Sequence, residues 1–339
     1  MNIAVVIASI REHSMREFLK EWEEDLKDTR VILVEDNPEA TFDLDWGEYR
    51  NVTHLAWQDI EQDLGENAWI IPRRTSAIKS YGFLKAFRED ADIIWTLDDD
   101  CYPEKYLKGQ YLQQVENRFK GFQPQVSWWN TLGSTGMYPR GFPYEIREIS
   151  RPVAIHHGLW SGVPDLDGVT ALDFPDYQVP ANLLSSVKTV PQGFFPMCGM
   201  NLAFRKAMTP AMYFMLQGQD AHGNYEPFDR FDDIWAGLFA KRICDHLGYA
   251  VTSGAPSIRH TKESDPIERV RKEAPGIRAH EKLWQVVDLA LDSECTTVGE
   301  CYEEMALILR EEAPRILPEW EDYWLKLSDA MLTWTELCA

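Results

Sequence analysis

Three successive carboxylates, Asp98, Asp99 and Asp100, end an apolar run that begins at Ala91. An Asp-x-Asp pair offers hard oxygen ligands suited to magnesium or manganese, and such a cation in turn holds a diphosphate. The competing reading is a solvated acidic turn, because Asp is common just after strands. A second acidic pair, Asp232 and Asp233, opens the apolar-periodic segment Ile234 to Leu247. One of the two is expected to cap that helix, which leaves the other free for chemistry. Arg73, Arg74 and Lys79 cluster at the start of a helix expected over Ser76 to Glu89. There they could neutralise a diphosphate or simply form an exposed basic helix start. His260-Thr261-Lys262 follows the last apolar run, where a chain end could return to a metal. His156 and His157 are adjacent, so on a strand they point apart and make poor joint ligands; core or hydrogen-bonding roles suit them better.

These groups need elements to position them. Ile3 to Ala8 reads as a buried strand with Ser9 and Arg11 at its C-terminal edge. Phe18, Leu19, Trp22 and Leu26 give helical spacing over Ser14 to Lys27, and Val31 to Val34 is a second strand ending at Glu35-Asp36. The run before Asp98 is a central strand. In an open α/β sheet, ligands bind at the C-terminal ends of the strands, so all these groups belong to one edge. No GxGxxG follows the first strand, which argues against a flavin or nicotinamide cofactor.

Asn51 to Gly65 reads as connecting structure with one short helix. Gly, Pro and aromatic residues cluster from Phe122 to Gly199, where substrate loops are expected. That region holds Tyr138-Pro139-Arg140-Gly141-Phe142-Pro143-Tyr144, a cation among aromatic residues, with Arg147 seven positions on. Phe195 to Phe204 is expected to turn into a strand and Pro210 to Leu216 to form a short helix. Val251 to Gly254 and Ser257 to His260 finish the sheet. From Pro266 onward the spacing is helical, in Lys282 to Leu291, Val298 to Glu311 and Glu319 to Leu337. The expected organisation is one α/β unit over 1–265 and a helical extension over 266–339 that serves packing or homo-oligomer formation.

Composition excludes some partners. The 339 residues carry 34 Lys plus Arg against 55 Asp plus Glu, a formal charge of -21, which opposes non-specific binding to nucleic acid or anionic lipid. The 13 Trp suit carbohydrate-facing surfaces and core packing equally. Six cysteines without a CxxC pair or zinc spacing read as reduced thiols of a cytoplasmic protein. The first apolar run meets Arg11 too soon for a signal sequence, and no stretch has the length of a membrane span.

Several longer strings are recognisable together. Thr96-Leu97-Asp98-Asp99-Asp100-Cys101, Arg140-Gly141-Phe142-Pro143, His157-Gly158-Leu159-Trp160, Pro196 to Phe204, Pro210 to Phe214, Asp232 to Gly237 and Ile243 to Gly248 closely resemble the reversibly glycosylated polypeptide family, whose plant members are UDP-arabinopyranose mutases. The resemblance runs from about Ile3 to Trp334. It implies a GT-A type glycosyltransferase fold (a Rossmann-like mixed sheet flanked by helices), a divalent cation at the Asp motif and a UDP-sugar ligand. The family's reversibly glycosylated arginine falls on Arg140 and a second functional arginine on Arg147. Departures at Glu35 to Pro38, Ser161 to Pro164 and Glu263 bear on sugar choice.

The candidate metal ligands are then Asp98, Asp100 and His260. Candidate nucleotide- and sugar-binding residues are Ser9, Arg11, Asp36, Arg73, Lys79, Asp98, Asp99, His157, Trp160, Asn201 and Lys262. Candidate catalytic residues are Arg140, Arg147, Asp232 and Asp233. A guanidinium is a poor nucleophile until it loses a proton, so transfer of sugar to Arg140 requires a carboxylate, from Asp232, Asp233, Glu145 or Glu148. The alternative activity is a glycosyltransferase acting on itself or another acceptor through the same metal site; a non-catalytic sugar-nucleotide binder is a third.

Overall fold

Aliphatic runs form the strands and the 3.6-residue apolar stripes form the helices. The computed structural model describes residues 1–339 except 125–127, 129, 133–135, 148, 182–185, 262–264 and 290, and the side chains of 122–124 are also outside the description. The strands are β1 (Ile3–Ser9), β2 (Arg30–Glu35), β3 (Val52–Leu55), β4 (Ile93–Asp98), β5 (Cys101–Pro103), β6 (Phe122–Pro124), β7 (Ser150–Gly162), β8 (Val187–Thr189), β9 (Asn201–Arg205) and β10 (Ala250–His260). The helices are α1 (Glu12–Leu26), α2 (Trp57–Leu64), α3 (Lys79–Arg88), α4 (Tyr111–Phe119), α5 (Gly168–Asp173), α6 (Asp232–Leu247), α7 (Pro266–Val287), α8 (Val298–Ile316) and α9 (Glu321–Leu337).

The sheet runs β3-β2-β1-β4-β9-β7-β10-β5, with β6 on β7 and β8 on β10. Its first four strands are parallel, and β9 enters antiparallel between β4 and β7. This is the α/β class the sequence predicts, a mixed sheet flanked by helices. Alternation along β1 sends Ala4 and Val6 to one core and Val5 and Ile7 to the other. The second core lies under α1 and α4; the first is shared by α2, α3, α6 and all of α7, α8 and α9. Residues on both sides of position 265 therefore belong to one hydrophobic cluster. A knot of Phe228, Trp235, Trp320, Tyr323 and Trp324 joins them, with ring centroids 4.7 to 5.8 Å apart.

Two glycines set close approaches. A Cβ on Gly82 would lie 2.4 Å from Val6 Cγ1, so α3 sits directly against β1; a Cβ on Gly158 would lie 2.1 Å from Asn201 Nδ2.

The expected connection over Asn51 to Gly65 contains β3, an edge strand of four residues that is too short for its alternation to be read. The expected loop region contains β7, a thirteen-residue strand in the sheet interior. Its periodicity is hidden by His156 and His157, which are buried yet face Thr252 and Ser253 in register on β10. The two predicted final strands are one, β10, with a register shift between Gly254 and Ile258. In place of a helix at Pro210 to Leu216, a 3-10 turn spans Lys206–Ala211, ended where Pro210 removes a donor. Among the described residues no helix is long and apolar enough to cross a membrane.

Candidate active site

The C-terminal ends of β1, β2 and β4 open into two adjoining cavities of about 420 and 360 Å³. Arg11, Ser76, Asp98, Asp100 and Arg230 line both. The smaller sets Arg11, Arg74, Lys79, Arg230 and Lys272 against Asp36, Asp98, Asp99, Asp100 and Asp229, so its charges balance. The larger is acidic, with Asp165, Asp167, Asp232, Asp233 and Glu273, and carries His260.

The three carboxylates of the Asp98 to Asp100 motif divide two cations, with Lys79 on Asp98 and Arg11 on both Asp99 and Asp100. Lys79, 2% exposed, donates from Nζ to Asp98 Oδ1 and, at 3.2 Å, to the Gly199 carbonyl. Burial pushes the Asp98 carboxyl up, but Lys79 more than offsets it and holds the group below the usual carboxylate range. Asp99 accepts from Ser9 Oγ and from Arg11, whose Nε lies 3.1 Å away. Arg11 Nη2 also donates to Asp100 Oδ2 at 3.0 Å. Three carboxylates thus share two cations, and the deficit falls on Asp100. Burial first, then Asp98 and Asp99, push its carboxyl up to about 6.

His260 Nδ1 lies 2.8 Å from the Val163 carbonyl, and its Nε2 lies 3.7 Å from Asp100 Oδ1. A carbonyl only accepts, so Nδ1 carries a hydrogen and Nε2 is the ring nitrogen that faces Asp100. Two carboxylates and an imidazole nitrogen on one wall form a donor set that fits magnesium or manganese. Among the described residues no three such side chains are already drawn together around a metal position, because Asp98 and Asp100 are engaged by Lys79 and Arg11.

Asp232 and Asp233 differ from expectation. Both lie within the first turn of α6, and the capping position is Phe231, which makes no side-chain cap. Asp232 instead accepts from Ser76 Oγ at 2.5 Å, and Asp233 accepts from the Gly199 amide at 2.7 Å and the Ile234 amide at 2.8 Å. Burial pushes Asp232 up to about 6 despite the Ser76 donor. Burial, then Asp232 and Asp165, push Asp233 well above the ordinary range. Two carboxyl groups are therefore kept at or near protonation beside the acidic cavity, as acid–base chemistry near neutrality requires.

Asp36 is fixed at the smaller cavity by three contacts. Its carboxylate accepts from Trp57 Nε1 at 2.7 Å and the Thr75 amide at 3.1 Å, and its carbonyl from Arg74 at 3.1 Å. Its neighbour Glu35, fully buried, accepts from Asn37, Thr41, Phe42 and His54 and so fixes the loop that follows β2.

Other candidates sit elsewhere. Arg73 is buried, donates to the Ile71 carbonyl at 2.8 Å and stacks on Trp57. Asn201 bridges Trp95, the Leu159 carbonyl and the Pro256 carbonyl. His157 pairs with Ser253 and packs between Trp160 and Phe195, and burial lowers it to about 4. None of these residues lines either cavity. Arg140 is exposed on a turn, and Arg147 packs 3.6 Å over the Tyr144 ring while donating to the Phe142 carbonyl at 3.0 Å. Neither lines the two cavities; Arg147 lines a separate surface hollow with Tyr138, Tyr144 and Glu145. Lys262 and Glu148 lie outside the described residues.

The charged and hydroxyl residues that sequence reasoning missed include Ser76, Asp165, Asp167, Asp229, Arg230, Arg269, Lys272 and Glu273, which line the cavities with no local motif. The last three share one face of α7 at i, i+3 and i+4, a spacing legible in the sequence but without meaning until α7 is seen against the sheet edge.

Comparison with known proteins completes the picture. The model of the family described as reversibly glycosylated polypeptide matches residues 1–339. A Pisum sativum protein named probable UDP-arabinopyranose mutase 1 is 36% identical, over 99% of this chain and 90% of its own. UDP-arabinopyranose mutase 1 of Arabidopsis thaliana is also 36% identical, over 99% and 91%, and the Oryza sativa subsp. japonica protein of that name is 35% identical, over 99% and 90%. Among solved structures, S. aureus TarS 1-349 aligns over 99% of this chain and 81% of that one at 11% identity with a TM-score of 0.41, a distant likeness.

Proposed function

The chain belongs to the reversibly glycosylated polypeptide family, and from that premise we propose that it interconverts UDP-arabinopyranose and UDP-arabinofuranose. The observation that carries the reading is the meeting, at Asp98 and Asp100, of a cavity that holds five cations among an equal number of acids with one that is predominantly acidic. A sugar nucleotide has that polarity: an anionic diphosphate on one side of the scissile anomeric bond and hydroxyl groups on the other.

The nucleotide side is assigned to Ser9, Arg11, Asp36, Arg74 and Lys79. Asp98, Asp100 and His260 would hold a magnesium or manganese ion, which when bound would stabilise charge on the departing UDP. Lys79 and Arg11 keep the carboxylates in place and bring positive charge to the same side. The pyranose closes through O5 and the furanose through O4. Ring exchange therefore needs one hydroxyl to give up a proton and the other to regain one, while the anomeric carbon is free of UDP. Asp232, with its carboxyl near 6, and Asp233 beside it are suited to accept and return that proton.

Reversible glycosylation of Arg140 would hold the sugar in the interval. For that, the turn carrying Arg140 has to reach the cleft, and a carboxylate has to take the guanidinium proton as the N–C bond forms. Arg147 steadies that turn through Tyr144 and Phe142.

The test is incubation of the purified protein with manganese and UDP-arabinofuranose, followed by chromatography of the sugar nucleotides. Conversion to UDP-arabinopyranose without net release of UDP supports the mutase. Accumulation of UDP without the isomer replaces it with a glycosyltransferase. Full turnover by Arg140→Lys would remove Arg140 from the mechanism while leaving the isomerisation standing.

A further inference from the structure

We propose that Arg230 grips the diphosphate of the sugar nucleotide at the junction of the two cavities, and that Glu273 of α7 is the positioning residue that aims it. The inference rests on the UDP-sugar reading above and adds to it a residue outside every recognised motif.

Four observations converge. Arg230 lines both cavities and stands two positions before Asp232. Its backbone is left-handed, φ +68°, a conformation that a bulky residue adopts only when its surroundings impose it and that tends to mark functional positions. Its Nε donates to Glu273 Oε1 at 3.1 Å, while Glu273 is 5% exposed and is itself pinned by the Gly168 amide, 2.7 Å from Oε2. Arg230 makes no other hydrogen bond among the described residues, so both terminal nitrogens are left on a side chain 37% exposed at the cavity wall.

That last point separates a binding role from a tie between segments. An arginine recruited only to anchor α7 would gain most by presenting its two-nitrogen fork to the carboxylate. Here the pair uses the inner nitrogen, which fixes the plane of the guanidinium and keeps the fork for a tetrahedral oxyanion. The same helix face adds Lys272, which lines the smaller cavity and pairs with Asp229 at 3.2 Å, and Arg269, buried with its Nε unpaired among the described residues and Nη1 on the Leu166 carbonyl at 2.9 Å. The segment past Pro266 is thereby part of the binding site.

The experiment measures the affinities of UDP and uridine by calorimetry at one fixed manganese concentration. The key variant is the double substitution Arg230→Gly with Glu273→Gln. It relieves the left-handed backbone, removes both charges of the pair together, and its introduced side-chain carbonyl can still accept from the Gly168 amide. We expect UDP affinity to fall roughly ten- to hundred-fold, the value of a charge-assisted contact, with uridine affinity unchanged. Glu273→Gln alone is expected to give a smaller loss confined to UDP, and Arg278→Ala, an exposed charge change on the same helix, none. Undiminished UDP binding in the double variant, or equal losses for UDP and uridine, would overturn the inference alone. A wild-type protein that binds neither ligand would overturn the UDP-sugar reading and this inference with it.

Discussion

The cleft holds two groups of carboxylates built on opposite principles. At the end of β4, three acids share Lys79 and Arg11 and are short of one positive charge. At the start of α6, Asp232 and Asp233 have no cation within hydrogen-bonding distance among the described residues and rely on Ser76, two amides and retained protons. The first arrangement is ready to receive further positive charge, the second to exchange protons. A nucleotide-sugar reaction needs both in one cleft, and the fold separates them by drawing one from a strand end and the other from a helix start.

The contrast is broken most severely at Asp98. Asp98→Asn should leave the buried Lys79 ammonium without its partner and cost about 3 kcal/mol in urea unfolding, the low end for such a loss because Asp98 itself faces the cleft. An unfolding midpoint equal to the wild type would show that the pair contributes nothing to the fold.

The opposite sign is expected at Asp232. Its folded carboxyl stays protonated to about 6, whereas in the unfolded chain it ionises near 4, so its contribution to stability declines as pH rises between those values. Asp232→Asn removes that penalty and should stabilise the protein by about 3 kcal/mol above pH 6, with no gain below pH 4. Turnover should fall in the same variant. Matching melting curves at pH 4 and pH 7.5 decide it, since a gain of equal size at both would point to packing.

Metal binding sharpens the comparison from the other side. Protons compete for Asp100 below about pH 6, so manganese affinity should weaken by roughly tenfold per pH unit there. Asp232→Asn should leave that profile in place. The smallest expected effect distinguishes two serines. Ser9→Ala and Ser76→Ala should each cost about 1 kcal/mol for a lost hydrogen bond, but only Ser76→Ala should extend the decline that begins near pH 4 to higher pH, because only it removes a donor from Asp232.

Much of this architecture is legible in the sequence. Runs such as Ile3 to Ala8 and the stripe Phe18, Leu19, Trp22, Leu26 name their elements because burial imposes one period on them. The Asp98 motif is legible for the same reason, as charge abruptly ending a buried run. The β7 strand is not, since His156 and His157 look polar until Thr252 and Ser253 are placed opposite them. Asn201 and His157 illustrate the converse: they belong to strings shared with the family, but their side chains serve the sheet interior. The pairing of Arg230 with Glu273 is not legible, because it is made by the docking of α7 and exists only in three dimensions.

That docking has a consequence for the life of the protein. Because α7 lines both cavities, a growing chain still lacking it displays the acids of the sheet edge and of α6 without Lys272, Arg269 or the clamp on Arg230. A ligand can stabilise only a form it binds. Sugar nucleotide in the surroundings should therefore protect finished molecules from unfolding and proteolysis while giving no shelter to truncated ones, so that the substrate itself helps sort complete chains from incomplete.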